Sequence, residues 1–161
     1  MILDDIQPTS AARYHNNPLD VDLVEFALGT RFPTGYRDFI TRFGAGILGG
    51  RLRIYPPRKV LHNDDAVLEL VEQSEKPWFW QPGAGLLTTV RGVETVVIAD
   101  SVASDAILFS RWSPERLFVL HHDGAVYATT DGFLSALEWA LTSGPLMAAG
   151  RELIFEPRSE F

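Results

Sequence analysis

The 161-residue chain has no cysteine, so a disulfide framework, a thiolate nucleophile and a cysteine-ligated metal site are all excluded. Long apolar runs are missing too. The longest, residues 96–99 and 117–120, fall far short of the roughly 20 residues a membrane-spanning helix needs. The opening residues Met1-Ile2-Leu3-Asp4-Asp5-Ile6 carry no positively charged, apolar leader, and together these absences predict a cytoplasmic protein that does not engage a membrane. Basic residues are in the minority, 14 against 21 acidic, for a net charge of −7. Phosphate contact needs a clustered positive surface, so direct nucleic-acid binding is not expected. There is no G-x-S-x-G motif, no internal repeat and no low-complexity tract.

With 46% hydrophobic and 22% charged residues, the composition is that of a folded chain, and its length suits a single domain over residues 1–161. Residues 1–19, rich in turn formers, form a lead-in, and 146–161 a tail in which 153–155 reads as an edge strand and 156–160 as a fraying end. Between them the strongest pattern is helical. Tyr36, Phe39, Ile40 and Phe43 fall at i, i+3, i+4 and i+7, with Pro33 in the first turn and Gly44 as a left-handed stop. Upstream, Val21, Val24 and Leu28 line a first helix from about Asp20, widened by Leu23, Phe26 and Ala27 and stopped by Gly29. Leu52 and Ile54 alternate with polar neighbours in a strand ended by Pro56-Pro57. A third helix is capped by Asn63 or Asp64 and ended by Lys76-Pro77. From Leu86 the period turns extended, giving strands at 86–90, 93–99, 106–111, 117–120 and 125–129, followed by a closing helix with Phe133, Leu134, Leu137 and Leu141 inward. The expected fold is α+β, an antiparallel sheet of about five to six strands packed against N-terminal and C-terminal helices, with one face or edge left available.

The order apolar-Pro-x-x-Tyr-x-x-Phe-Ile, then Phe-Gly-x-Gly, then a Gly-rich lead into a strand, is carried by Phe32, Pro33, Tyr36, Phe39, Gly44 and Gly46. It resembles the signature of the SUKH superfamily, the Smi-one/Knr-four-like proteins. The first helix and its Leu28-Gly29 step, and the downstream run through 96–101, 107–109 and Phe133-Leu134, follow the family's order. The resemblance implies an α+β interaction protein without catalytic residues. In its bacterial branch that means an immunity protein that binds and neutralises a cognate toxin domain of a polymorphic or contact-dependent toxin system. A regulatory adaptor like the fungal relatives is the alternative, and an enzyme with an unannounced pocket the more distant one.

Residues 44–49 spell G-x-G-x-x-G, with Asp64 about 20 residues on. A dinucleotide fingerprint needs a strand before the glycines and a helix after, whereas here the helix comes first, so no cofactor is expected. His121-His122-Asp123 offers metal-ligand chemistry, but adjacent residues of a strand point to opposite faces and Asp123-Gly124 is an excellent hairpin turn, so no metal site is expected either.

Charge is segregated along the chain. Residues 31–59 hold seven basic residues and Asp38, a local +6 that leaves −13 elsewhere, and the plain reading is a solvated face set against acidic neighbours. An immunity protein meeting an enzyme with a basic groove, such as a nuclease, would use acids as on-rate determinants. The expected partner surface is therefore Asp100 and Asp105 on the longest polar link of the sheet, with Glu94 nearby and Trp78 and Trp80 as apolar anchors, on a monomer.

Overall fold

The computed structural model describes residues 3–62, 95–129, 132–142 and 153–161. The third helix after Asn63, the strand at 86–90, and Glu94, Trp78 and Trp80 lie outside them.

A single 3-10 turn, Leu3–Asp5, leads into β1 (Gln7–Pro8). The next element, α1 (Pro18–Leu28), is started by Asn17, whose side chain accepts from the Leu19 N–H, and is stopped by Gly29 at φ 66°. Val21 and Val24 are buried, but Leu23, Phe26 and Ala27, expected to widen the inner stripe, face solvent. The covered side of α1 is narrow, formed mainly by contact with α2 (Tyr36–Phe43) and α3 (Pro57–Leu61), and takes only one residue per turn.

The helix α2 begins at Tyr36 rather than Pro33: the Pro33 carbonyl accepts from the Tyr36 N–H in a turn, and Gly35, at φ 91°, precedes the helix. Tyr36, Phe39, Ile40 and Phe43 are all buried, as their spacing predicts. Phe39 meets the Phe133 and Phe155 rings edge-on at 5.7 and 5.5 Å, and Phe32 stacks on Tyr36 at 4.2 Å. Gly44 ends the helix at φ 76° and ψ −155°, which is not the expected left-handed helical conformation but a region open essentially to glycine alone.

Among the described residues the sheet has eight strands in the order β1-β8-β2-β3-β4-β5-β6-β7, more than the five to six expected. The additions are β1 and β2 (Gly46–Leu48), two and three residues long and too short for apolar alternation to show. After β3 (Leu52–Ile54) come β4 (Thr95–Ser101), β5 (Ala106–Ser110), β6 (Ser113–Leu120) and β7 (Val126–Thr129), an antiparallel meander. The closing helix α4 (Gly132–Thr142) packs on β6 and β7. The last strand, β8 (Ile154–Pro157), corrects two expectations. It lies inside the sheet, parallel to β1 and antiparallel to β2, and Glu156 and Pro157 are paired with Ile47 and Gly46 rather than frayed. Gly46 permits that pairing, because a Cβ there would stand 2.3 Å from the Glu156 carbonyl oxygen and 2.5 Å from the Phe155 ring.

The sheet does not leave one face open at its centre. Ile107, Phe109, Leu117 and Val119 share the face toward Phe32 and α4, and alternation puts Leu108, Phe118, Leu120 and Val97 on the other, yet all eight are buried. No helix among the described residues is long and apolar enough to cross a membrane.

Candidate functional site

Three turns gather at one end of the sheet: residues 49–51 between β2 and β3, 102–105 between β4 and β5, and 121–125 between β6 and β7. The register requires it, since Leu52 pairs with Ser101 and Ala106 with Leu120. The Val102 N–H donates to the Arg51 carbonyl and ties the first two turns together. This end carries both acids that charge reasoning singled out, and neither is a free surface carboxylate.

Asp100 receives a two-pronged contact from Arg53, Nε to Oδ1 at 2.7 Å and Nη2 to Oδ2 at 2.5 Å. That contact raises the Arg53 guanidinium above its ordinary value. Asp105 is only 2% exposed. Its Oδ2 accepts from Ser101 Oγ at 2.5 Å, and its Oδ1 accepts from the His122 backbone N–H at 2.9 Å. The expectation that a long polar link presents its acids to solvent fails because this link folds as a tight turn around the Asp105 carboxylate, with the Asp105 N–H returning to Ser101 Oγ.

The two histidines also depart from the sequence reading. His121 and His122 stand beyond the end of β6, in the turn, where strand alternation no longer applies. Their rings lie 4.0 Å apart, centroid to centroid, and both turn toward Asp105: His122 Nδ1 is 2.8 Å and His121 Nε2 is 3.7 Å from Oδ1. Asp123 Oδ1 lies 2.8 Å from His121 Nδ1 and accepts from the Ala125 N–H at 2.9 Å. The Ala125 N–H first, and then His121, hold the Asp123 carboxyl below the usual carboxylate range. A hairpin does turn here, but not as the two-residue Asp123-Gly124 turn expected: the loop runs over residues 121–125, with His122 and Asp123 as the central pair, the Gly124 N–H donating to the His121 carbonyl and Gly124 at φ 92°. Ser101, Asp105 and His122 do not form a nucleophilic triad. The serine hydroxyl donates to the carboxylate rather than to an imidazole, so no base activates it.

The glycines of residues 44–49 follow a helix and run into β2, the reverse of a phosphate-binding turn. Four of the seven basic residues of the +6 segment form ion pairs with acids outside it: Arg37 with Asp22, Arg42 with Asp4, Arg53 with Asp100 and Arg58 with Asp20. These pairs tie α2, β3 and α3 to the lead-in, α1 and β4, as the plain reading of the segment anticipates.

Sequence reasoning missed a second surface. Leu19, Leu23 and Phe26, at i, i+4 and i+7 of α1, are 62, 63 and 89% exposed. Asp20 and Asp22 beside them are paired with Arg58 and Arg37, which gives the apolar ridge a polar rim. Trp112, 81% exposed, sits on the β5–β6 turn, which is fastened to the end of α1 by Thr30 Oγ1 donating to the Arg111 carbonyl and Arg111 Nη1 donating to the Leu28 carbonyl. The available signal was the width of the α1 stripe: Val21, Val24 and Leu28 alone suffice to seat the helix, which leaves Leu19, Leu23 and Phe26 as surplus apolar surface. No protein-family model, curated protein or solved structure matches the chain.

Proposed function

We propose that this chain is a non-catalytic cytoplasmic interaction protein of the immunity type, which binds a cognate protein toxin and blocks it. The observation that carries the reading is the exposed ridge Leu19, Leu23 and Phe26 on a helix that is capped at both ends and fastened by ion pairs. An apolar strip inside a polar rim is the anatomy of a protein interface, and large aromatics such as Phe26 and Trp112 are the side chains that dominate interface energy. The resemblance of residues 32–46 to the SUKH signature supports the same class. The net charge of −7 suits a partner with a basic groove, such as a nuclease. The anchors assigned here are Leu23, Phe26 and Trp112, in preference to Asp100 and Asp105, whose carboxylates are already paired within the fold.

The test is capture with a photo-crosslinking residue at position 26, followed by an activity assay of the captured protein with and without the chain. A captured enzyme that the wild-type chain inhibits and that Phe26→Glu and Leu23→Glu fail to inhibit would support the reading. Full inhibition by both variants, a captured protein the chain leaves active, or crosslinking only to a second copy of the chain would each overturn it.

A further inference from the structure

We propose that Asp105, His121 and His122 form a zinc-binding site that clips the β4–β5 turn to the β6–β7 turn. The three side chains offer one ligand atom each, all within 4.8 Å of one another. Bonds of about 2.0–2.1 Å to a tetrahedral Zn2+ place ligand atoms about 3.3–3.4 Å apart. The separations of 2.8 and 3.7 Å from Asp105 Oδ1 to the two imidazole nitrogens bracket that value, and the two nitrogens lie within 4.8 Å of each other, so side-chain rotation rather than backbone movement would bring the set to coordination distance.

Three further observations point to a cation rather than to a simple cluster of polar groups. First, the Asp105 carboxylate is 2% exposed, and its partners among the described residues are a hydroxyl, a backbone N–H and the two imidazoles rather than an arginine or lysine. A buried carboxylate so placed is stabilised by a positive charge beside it. Second, groups that can serve as an outer shell stand in place: Asp123 Oδ1 lies 2.8 Å from His121 Nδ1, which makes no hydrogen bond here and would turn to that carboxylate once Nε2 held a metal, and Ser101 Oγ fixes Asp105 from behind. Third, the two imidazoles lie 4.0 Å apart, centroid to centroid, and each turns a ring nitrogen toward the same carboxylate oxygen, so the three ligand atoms converge on one point.

The donor set is two imidazoles and one carboxylate. This suits zinc and neighbouring late transition metals and is wrong for magnesium or calcium, which prefer oxygen throughout. His122 is half exposed and gives the ion an entry path. Three protein ligands leave one coordination position to water.

The experiment is equilibrium dialysis and isothermal calorimetry of the full chain with ZnCl2, alongside MgCl2 and the variants His121→Ala, His122→Ala, Asp123→Ala and His62→Ala. Expected are one zinc per chain, no competition from a large excess of magnesium, loss of the site in His121→Ala and His122→Ala, and a roughly ten- to hundredfold weaker site in Asp123→Ala. His62, on another element, should leave binding unchanged. His122 is exposed enough to be replaced without unfolding the chain, and circular dichroism of each variant checks this. Co2+ loading adds a separate readout, the intense visible absorption of a tetrahedral site, which should vanish in His122→Ala. Absence of stoichiometric zinc, or zinc binding that survives both His121→Ala and His122→Ala in folded protein, would overturn the proposal.

Discussion

The Tyr36 hydroxyl, fully buried under the sheet, donates a 2.7 Å hydrogen bond to the carbonyl oxygen of Tyr55 just beyond β3. One side chain of α2 thus reaches across to the backbone at the end of β3. Burial pushes the Tyr36 phenol well above its ordinary value. The folded state therefore keeps a proton that the unfolded chain releases near pH 10, so this contribution to stability is complete below about pH 10 and is lost as pH rises above it. Tyr36→Phe should cost about 0.5–1.5 kcal/mol at pH 7 by removing this buried hydrogen bond. Urea titrations from pH 7 to 11 should show wild type losing stability above pH 10 more steeply than the variant; parallel curves would refute the assignment.

Phe39 lies between the rings of Phe133 and Phe155, and thus between α4 and β8. Phe39→Ala should cost about 3–5 kcal/mol in a denaturant titration, the range for emptying a large aromatic site. A loss below 1 kcal/mol would mean the three-ring contact does not hold the tail in the sheet.

The glycines should rank by their surroundings. Gly46→Ala drives a Cβ to 2.3 Å from a backbone oxygen of β8, and Gly44→Val combines φ 76° with a Cβ 2.2 Å from the Tyr14 carbonyl. Each should destabilise by about 2–3 kcal/mol or more. Gly29→Ala meets nothing within 4 Å and should lose only about 1–2 kcal/mol, the cost of a left-handed φ. Thermal melts of the three variants check the order, and a Gly46→Ala chain as stable as wild type would remove β8 from its place beside β2.

What the sequence discloses here depends on the length of the pattern. The stripe of α2 repeats over two turns and is read correctly to the residue, and the meander from β4 to β7 is legible because its strands are four to eight residues long. Strands β1 and β2 have no room for alternation, and the position of β8 is decided by packing of Phe155 against Phe39 and Phe43, a contact between residues more than 100 positions apart. The exposure expected of the acidic patch is missing for a related reason. Charge counting sees Asp100 and Asp105 but not the Arg53 side chain across the β3–β4 ladder, nor the turn that closes on Asp105. Strand alternation likewise misplaces His122, because β6 ends two residues before it.

That turn makes the two acids unequal. Asp105→Lys puts an ammonium where the buried carboxylate accepts its hydrogen bonds, against His121 and His122, and should cost about 3 kcal/mol or more. Asp100→Lys faces Arg53, which is 39% exposed at its side chain, so solvent screens the repulsion and the loss should stay near 1 kcal/mol. Urea titrations of the single variants decide. Equal, small effects would mean that Asp105 is an ordinary surface acid.

The two sides of α1 should part company most sharply. Val24 is buried and Phe26, two residues on, is 89% exposed, so the usual link between apolar size and stability is inverted within one helix. Val24→Ala should cost about 1.5–3 kcal/mol through lost burial. Phe26→Glu and Leu23→Glu remove apolar surface that touches little in the folded chain and should change stability by no more than about 0.5 kcal/mol. Their effect should appear in association instead. Both should lower binding of a hydrophobic dye and weaken capture of the partner, because a carboxylate at the centre of an apolar contact is desolvated without a counter-charge. Denaturation and dye titration on the same preparations separate the outcomes. A large stability loss in Phe26→Glu would place that ring in the core of the solution structure, and unchanged dye binding and capture in a stable variant would move the partner surface away from α1.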